Sequence, residues 1–135
     1  MTVVDVSLRN IAGTEASMGW VGGHTVVIDR AEGRNGGMGL GFTGAQMIAL
    51  AIGGCFCNDL RYMAEERGVA ITEIAVDVTV TLEGAPLLVT FAEMMAHVSF
   101  ADPAVDAADF VRRTEAVSAV TNSVRQGFPV TISPV

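Results

Sequence analysis

The apolar and polar positions of the chain fall into stretches of two different periods. Residues 1–32 alternate as strands do, through Val4, Val6 and Leu8 and then from Trp20 to Ile28. The segment His24-Thr-Val-Val-Ile-Asp29 is rich in β-branched residues, which suit a pleated surface. Gly22-Gly23 interrupts this region and marks a bulge or a turn. Residues 31–42 are dense in glycine and read as a flexible loop, of the kind that covers a site. They are not a phosphate loop, because no Gly-Lys-Ser/Thr ending follows.

The period then becomes helical. A long helix is predicted from Thr43, a capping residue, to Arg67, with Gly68 as the stop. Its first half, Ala45 to Ile52, is apolar nearly all round, so it has no face to turn to water. A chain of 135 residues has little mass with which to enclose such a helix, which implies that a second subunit covers part of it. Gly53-Gly54 in mid-helix costs about 1 kcal/mol per residue relative to Ala and is tolerated where another backbone approaches closely. Two alternating strands follow, Ile71–Leu82 and Leu87–Phe100, joined by Glu83-Gly84-Ala85-Pro86 as the turn of an antiparallel hairpin. Asp102-Pro103 reads as a cap with Pro in the first turn of a helix that runs to about Gln126. Gly127 ends that helix, and Phe128–Ser133 reads as a last short strand. The order of strands, helix, two strands, helix and strand predicts one α+β domain over residues 1–135, with two main helices packed on antiparallel sheet.

Composition narrows the function. Half of the residues are apolar and 17% are charged, which excludes intrinsic disorder. The net charge is −7 and every basic residue is Arg, so there is no footprint for nucleic acid or for an anionic membrane surface. The most apolar stretch, Ala45–Cys57, is too short to span a bilayer, and the first ten residues lack a secretory pattern. The expected location is the cytoplasm.

The chemistry-bearing segment is GGCFCNDLRYMAEERG. Cys55 and Cys57 stand two apart on a helix, so their side chains diverge by about 200° and cannot bridge each other while the helix holds. Cys55 shares a face with Asp59, and Cys57 with Arg61. The thiols with His24 and His97 do not have the spacing of a metal site, and nothing in the pattern calls for a cofactor. Each histidine sits in a strand and reads as packed or surface-lying rather than catalytic. Asp59, Glu65 and Glu66 read as the solvated face of the helix. On composition alone, both cysteines read first as small core residues.

The block from Ala49 to Leu60, with Gly-Gly-Cys-Phe followed by Asn-Asp-Leu, and the ending Thr-Asn-Ser-Val-Arg-Gln-Gly-Phe-Pro-Val-Thr-Ile resemble the OsmC/Ohr family (osmotically inducible protein C and organic hydroperoxide resistance protein). The resemblance runs from about Trp20 to Ile132. It implies an OsmC-like α+β fold in an intertwined homodimer, with the central helices buried at the subunit interface. It also implies thiol-dependent reduction of organic hydroperoxides, in which a thiolate becomes a sulfenic acid that a second cysteine resolves. Carried over by position, Cys55 matches the reactive cysteine. The resolving position falls on Ser118, and the Glu of the Ohr branch falls on Ala45. Arg30 and Arg34 are the candidates for the arginine that faces the thiolate.

Two main readings follow. In the first, Cys55 is a one-cysteine peroxidase that uses an external thiol reductant, with Cys57 as a possible second thiol. In the second, the chain is a catalytically degenerate homodimer that binds an apolar small molecule, as Ser118 and Ala45 suggest. A purely structural dimer is neither favoured nor opposed by the sequence.

Overall fold

Three short strands open the chain: β1 (Ser7–Asn10), β2 (Ser17–Val21) and β3 (His24–Ile28). They pair antiparallel in the order β1-β2-β3, with Leu8 opposite Gly19 and Gly19 opposite Val26. Gly22-Gly23 forms a turn between β2 and β3 rather than a bulge. Val4 and Val6 lie before the first strand and are exposed. The computed structural model describes residues 1–135, which divide into two compact units, Met1–Met47 and Ile48–Val135.

Helix α1 (Gly44–Arg67) begins at the end of the first unit. Thr43 caps it as expected: Gln46 N–H donates to Thr43 Oγ1 at 3.3 Å, and Thr43 N–H donates to Gln46 Oε1 at 2.9 Å. This reciprocal pair satisfies two of the donors that a helix start leaves orphaned. At the other end the Gly68 and Val69 amides return to the carbonyls of Glu65 and Ala64, which closes the helix.

In the second unit α1 is joined by β4 (Ile71–Glu83), β5 (Leu88–Phe100), α2 (Ala107–Val117) and α3 (Ala119–Gln126). The long hairpin β4-β5 is antiparallel, with Ile74 opposite Val98 and Val78 opposite Met94. Ile74, Val76, Val78 and Val80 are the half-buried positions of β4, alternating with exposed Asp77 and Thr79, as the period-2 pattern required. Ile52, Phe56, Leu60 and Ala64 recur at every fourth residue of α1 and form its buried stripe. Phe56, Leu60 and Ala64 meet Val98 and Phe110 in the core, with Ile74, Val76 and Met94 packed around them. Full burial of one such large apolar side chain contributes roughly 1.5–3 kcal/mol.

Gly53 lies on this stripe, and a Cβ there would stand 2.8 Å from Val78 Cγ2. The close approach that explains it is therefore made by β4 of the same chain. The opposite face of α1 is not covered by the other elements of the second unit: Leu50 is 48% exposed, and Ala51, Gly54, Asn58, Arg61 and Tyr62 are exposed with it. The second unit thus leaves Leu50 and Ala51, in the apolar first half of α1, uncovered on that side.

Three expectations change. The helix expected from Asp102-Pro103 to Gln126 starts later and is two helices. Asp102 caps a turn, accepting from the Ala104 amide at 2.9 Å, while Asp106 accepts from the Asp109 amide and caps α2. The break falls at Ser118, whose ψ of 116° is extended rather than helical. So the chain has three helices, not two. The expected strand Phe128–Ser133 does not form: these residues have no hydrogen-bonded partner strand, and Phe128, Val130 and Ile132 are exposed. The glycine-dense loop is tied down rather than loose, as described below.

Candidate functional site

Cys55 and Cys57 are both free and both half-buried on α1. They do not approach each other as a pair; the helix holds them on different faces. Cys55 has a polar partner one turn on, and its Sγ lies 3.8 Å from Asp59 Oδ2. The same carboxylate oxygen accepts a 2.6 Å hydrogen bond from the Ser118 hydroxyl. Ser118 is completely buried, and its Oγ is also 3.1 Å from Thr121 Oγ1. Cys55, Asp59 and Ser118 therefore converge on one oxygen atom, from α1 and from the break between α2 and α3.

The break is held by side chains. The Asn122 side-chain amide donates to the carbonyls of Ser118 at 2.8 Å and Glu115 at 3.1 Å, adding to the bonds those carbonyls accept from the backbone amides of Asn122 and Ser118. Arg125 donates to Glu115 Oε1 at 2.8 Å and to Asn122 Oδ1 at 2.7 Å and fixes that amide in turn. Asp59 was read from the sequence as a solvated residue and is instead a member of this cluster. The four-residue spacing from Cys55 was visible. Its partner Ser118 lies 59 residues away, and no local pattern reveals it. Asn122, whose partners lie three to seven residues away, carries no mark in the helical pattern that sets it apart from its neighbours.

A cavity of about 510 Å³ lies within the second unit, walled by Ile52, Phe56, Val78, Phe91, Met94 and Val124. That is within the usual size range of small-molecule sites. Thr121 lines it as well, so the cavity wall touches Ser118.

The other sequence candidates lie elsewhere. Arg30 and Arg34 belong to the first unit. The Arg30 guanidinium donates to the Glu15 carbonyl at 2.8 Å and lies 3.5 Å from Asp29 Oδ1. Arg34 sits in the loop, with its amide on the Ala31 carbonyl. Ala45 is in the first turn of α1. His24 is exposed on β3, and His97, exposed on β5, contacts Ser99 Oγ at 3.0 Å. No group of His, Cys, Asp and Glu is arranged to hold a metal ion.

The loop after β3 is organised by Asp29, whose side chain is fully buried. Its Oδ2 accepts from the amides of Met38 at 3.0 Å and Leu40 at 3.1 Å, and its Oδ1 accepts from Arg30 N–H at 2.8 Å. Gly41 passes so close to β3 that a Cβ would overlap the Val27 carbonyl oxygen. The Leu40 amide foremost, then those of Met38 and Arg30 and the Arg30 charge, hold the Asp29 carboxyl below its ordinary value against the opposing effect of burial. A carboxyl held low in the folded state stabilises it fully above the ordinary carboxylate range. That contribution is lost as pH falls through and below about pH 4. Amide-exchange protection at Met38 and Leu40 is therefore expected to fall between about pH 4 and pH 2, and to be absent at every pH in Asp29→Ala. Unchanged protection at the acid end overturns this account of the loop.

The OsmC-like protein family model matches residues 36–133, most of the chain and both halves of the Cys55–Asp59–Ser118 cluster. The chain belongs to the OsmC-like family. Solved structures agree in fold. An OsmC-like protein from Mycoplasma pneumoniae superposes with a TM-score of 0.76 at 11% identity, over 92% of this chain and 88% of that one. An organic hydroperoxide resistance protein from Legionella pneumophila gives 0.65 at 15% identity, over 93% and 90%. The organic hydroperoxide resistance protein of Bacillus subtilis gives 0.59 at 18% identity, over 92% and 91%. Comparison with curated protein sequences gives no match. At these identities the structures establish the OsmC-like α+β fold, with its two antiparallel sheets and its helices, and not a shared reaction. No helix of this OsmC-like chain is long and apolar enough to cross a membrane.

Proposed function

We propose that this OsmC-like chain reduces organic hydroperoxides through Cys55 and is returned to the thiol by an external thiol reductant. One observation carries the reading. Cys55 and Ser118 occupy the two positions the family resemblance pairs as reactive and resolving thiol, and both hydrogen-bond to Asp59 Oδ2. The Cys55 sulfur gives up its proton as it attacks the peroxide, so that an S–O bond forms, the O–O bond breaks and the leaving alkoxide takes up a proton. Sulfur is oxidised to the sulfenic acid and the peroxide is reduced to an alcohol. A hydroxyl cannot resolve a sulfenic acid, so Ser118 hands that step to an incoming thiol. The incoming thiol displaces water to give a mixed disulfide, and a second thiol releases Cys55 and leaves with the first as a disulfide.

The apolar cavity whose wall touches Ser118 supports an organic hydroperoxide rather than hydrogen peroxide. Arg30 and Arg34 remain the candidate partners of the thiolate, and Arg30 already has contacts to Glu15 and Asp29. The uncovered face of α1, with Leu50 exposed, supports a homodimer in which a second copy covers it. The binder reading rests on the hydroxyl at Ser118 and keeps the same cavity with inert thiols.

The test is intact mass after one equivalent of an organic hydroperoxide with a sulfenic-acid trap present. We expect one adduct on the native chain, retained in Cys57→Ser and absent in Cys55→Ser. Loss of the adduct in Cys57→Ser instead moves the chemistry to the other sulfur. No adduct on the native chain removes the peroxidase reading and favours the binder.

A further inference from the structure

We propose that Asp59 is the proton carrier of the Cys55 reaction and that Ser118 is the residue that positions it. The inference rests on the reading of Cys55 as the attacking sulfur. In this chain the polar partner within reach of Cys55 Sγ is a carboxylate oxygen, Asp59 Oδ2 at 3.8 Å, and the thiol is the donor of that contact. A carboxylate in this place does what a fixed positive charge cannot: it accepts a proton. As the sulfur attacks one peroxide oxygen, the thiol proton passes to Asp59 Oδ2. As the O–O bond breaks, the carboxylic acid gives that proton to the leaving alkoxide, which departs as the alcohol. The carboxylate is regenerated and no proton is exchanged with bulk water during the step. A strongly basic alkoxide is a poor leaving group, so the second half of this relay matters most for alkyl hydroperoxides.

Ser118 fits the positioning role. Its side chain is completely buried at the α2–α3 break, where the Asn122 amide holds the Ser118 carbonyl. Its hydroxyl donates a short 2.6 Å bond to Asp59 Oδ2, the oxygen that faces Cys55. A charge-assisted bond of this kind fixes the rotamer of the carboxylate and so aims it at the sulfur. The serine that replaces a resolving thiol thus has a second function in this chain, since it orients the group that moves the proton.

The experiment measures the rate of Cys55 sulfenic-acid formation in the native chain, Asp59→Asn and Ser118→Ala with two oxidants. One is tert-butyl hydroperoxide, whose leaving group is a strongly basic alkoxide. The other is peracetic acid, whose leaving group is the weakly basic acetate and needs no proton. Asp59→Asn keeps an acceptor for the Ser118 hydroxyl but carries no proton. Loss of the proton acceptor slows both oxidants, and loss of the proton donor is expected to slow the alkyl hydroperoxide about 100-fold further than the peracid, the lower end of what general acid–base catalysis contributes. Ser118→Ala is expected to show the same selectivity at about tenfold, and it carries the test alone if Asp59→Asn does not fold. Equal slowing with both oxidants, or no slowing with either, overturns the proposal and gives Asp59 a structural role only. Failure of the native chain to form a sulfenic acid with either oxidant overturns instead the peroxidase reading beneath it.

Discussion

Ser118→Cys is expected to convert the chain into one that closes its own disulfide. Cys55 Sγ and Ser118 Oγ lie on a single oxygen, Asp59 Oδ2, at 3.8 and 2.6 Å. Their separation cannot exceed those two contacts laid end to end, and a thiol at residue 118 would occupy the place of the hydroxyl. The residue sits where α2 has ended and α3 has begun, at an extended backbone position. The side chain there already faces α1, since its hydroxyl reaches Asp59 on that helix. A thiol held this close acts at an effective concentration far above that of any free thiol at micromolar to millimolar levels.

One equivalent of organic hydroperoxide should therefore cost the variant two hydrogens, leave Cys57 as its free thiol, and give no adduct with a sulfenic-acid trap. The native chain under the same conditions should keep its sulfenic acid until an external thiol is added. The variant loses the hydroxyl–carboxylate bond, at a cost of about 1–3 kcal/mol to the reduced state. It should regain part of that on oxidation, because a cross-link between residues far apart in sequence restricts the unfolded chain. Persistent trapping in Ser118→Cys, at the level of the native chain, would mean that the break does not present residue 118 to the sulfur.

What the sequence disclosed and what it hid follow from the range of the interactions. Helix α1 was legible because its signals are local: Thr43 and Gln46 cap one end, and the chain turns at Gly68. The hairpin was legible because Ile74 to Val80 alternate with polar residues at period 2. The single helix expected up to Gln126 failed at Ser118. There a buried contact to Asp59 and three carbonyl contacts from Asn122 override a run of residues with adequate helix propensity. The last strand failed because alternation states only that a segment suits a sheet. It does not supply the partner, and Phe128–Ser133 has none within the chain. The site behaves likewise. The position of Cys55 was readable from its neighbours in sequence, whereas the meaning of Asp59 depended on a residue from another element. The glycine-dense loop looked mobile because its organiser, Asp29, is a single carboxylate that composition cannot distinguish from a surface acid.

Phe110→Ala is expected to be the most destabilising single substitution in the second unit, and to reach the site before it unfolds the chain. Phe110 is 1% exposed and meets Phe100 edge-on at a centroid distance of 4.8 Å, while the Arg67 guanidinium lies 5.9 Å from its ring centre. It joins Phe56, Leu60 and Val98 in the core, so its ring ties α2 to both α1 and β5. Truncation of such a residue costs about 3–5 kcal/mol, and the stiff walls around it collapse only in part. For a domain of this size that lowers Tm by roughly 10–20 °C. A total stability of about 5–15 kcal/mol means that the variant still folds at low temperature. In the folded variant α2 loses the anchor one turn before Thr114, whose buried hydroxyl donates to the Phe110 carbonyl at 2.9 Å, and two turns before Ser118. The break should drift from Asp59, so that the disulfide of Ser118→Cys forms more slowly when Phe110→Ala is present. Phe110→Leu, which refills most of the space, should restore both the Tm and the rate. An unchanged rate in the folded double variant would assign the placement of Ser118 to the Asn122 and Arg125 contacts instead of to the core.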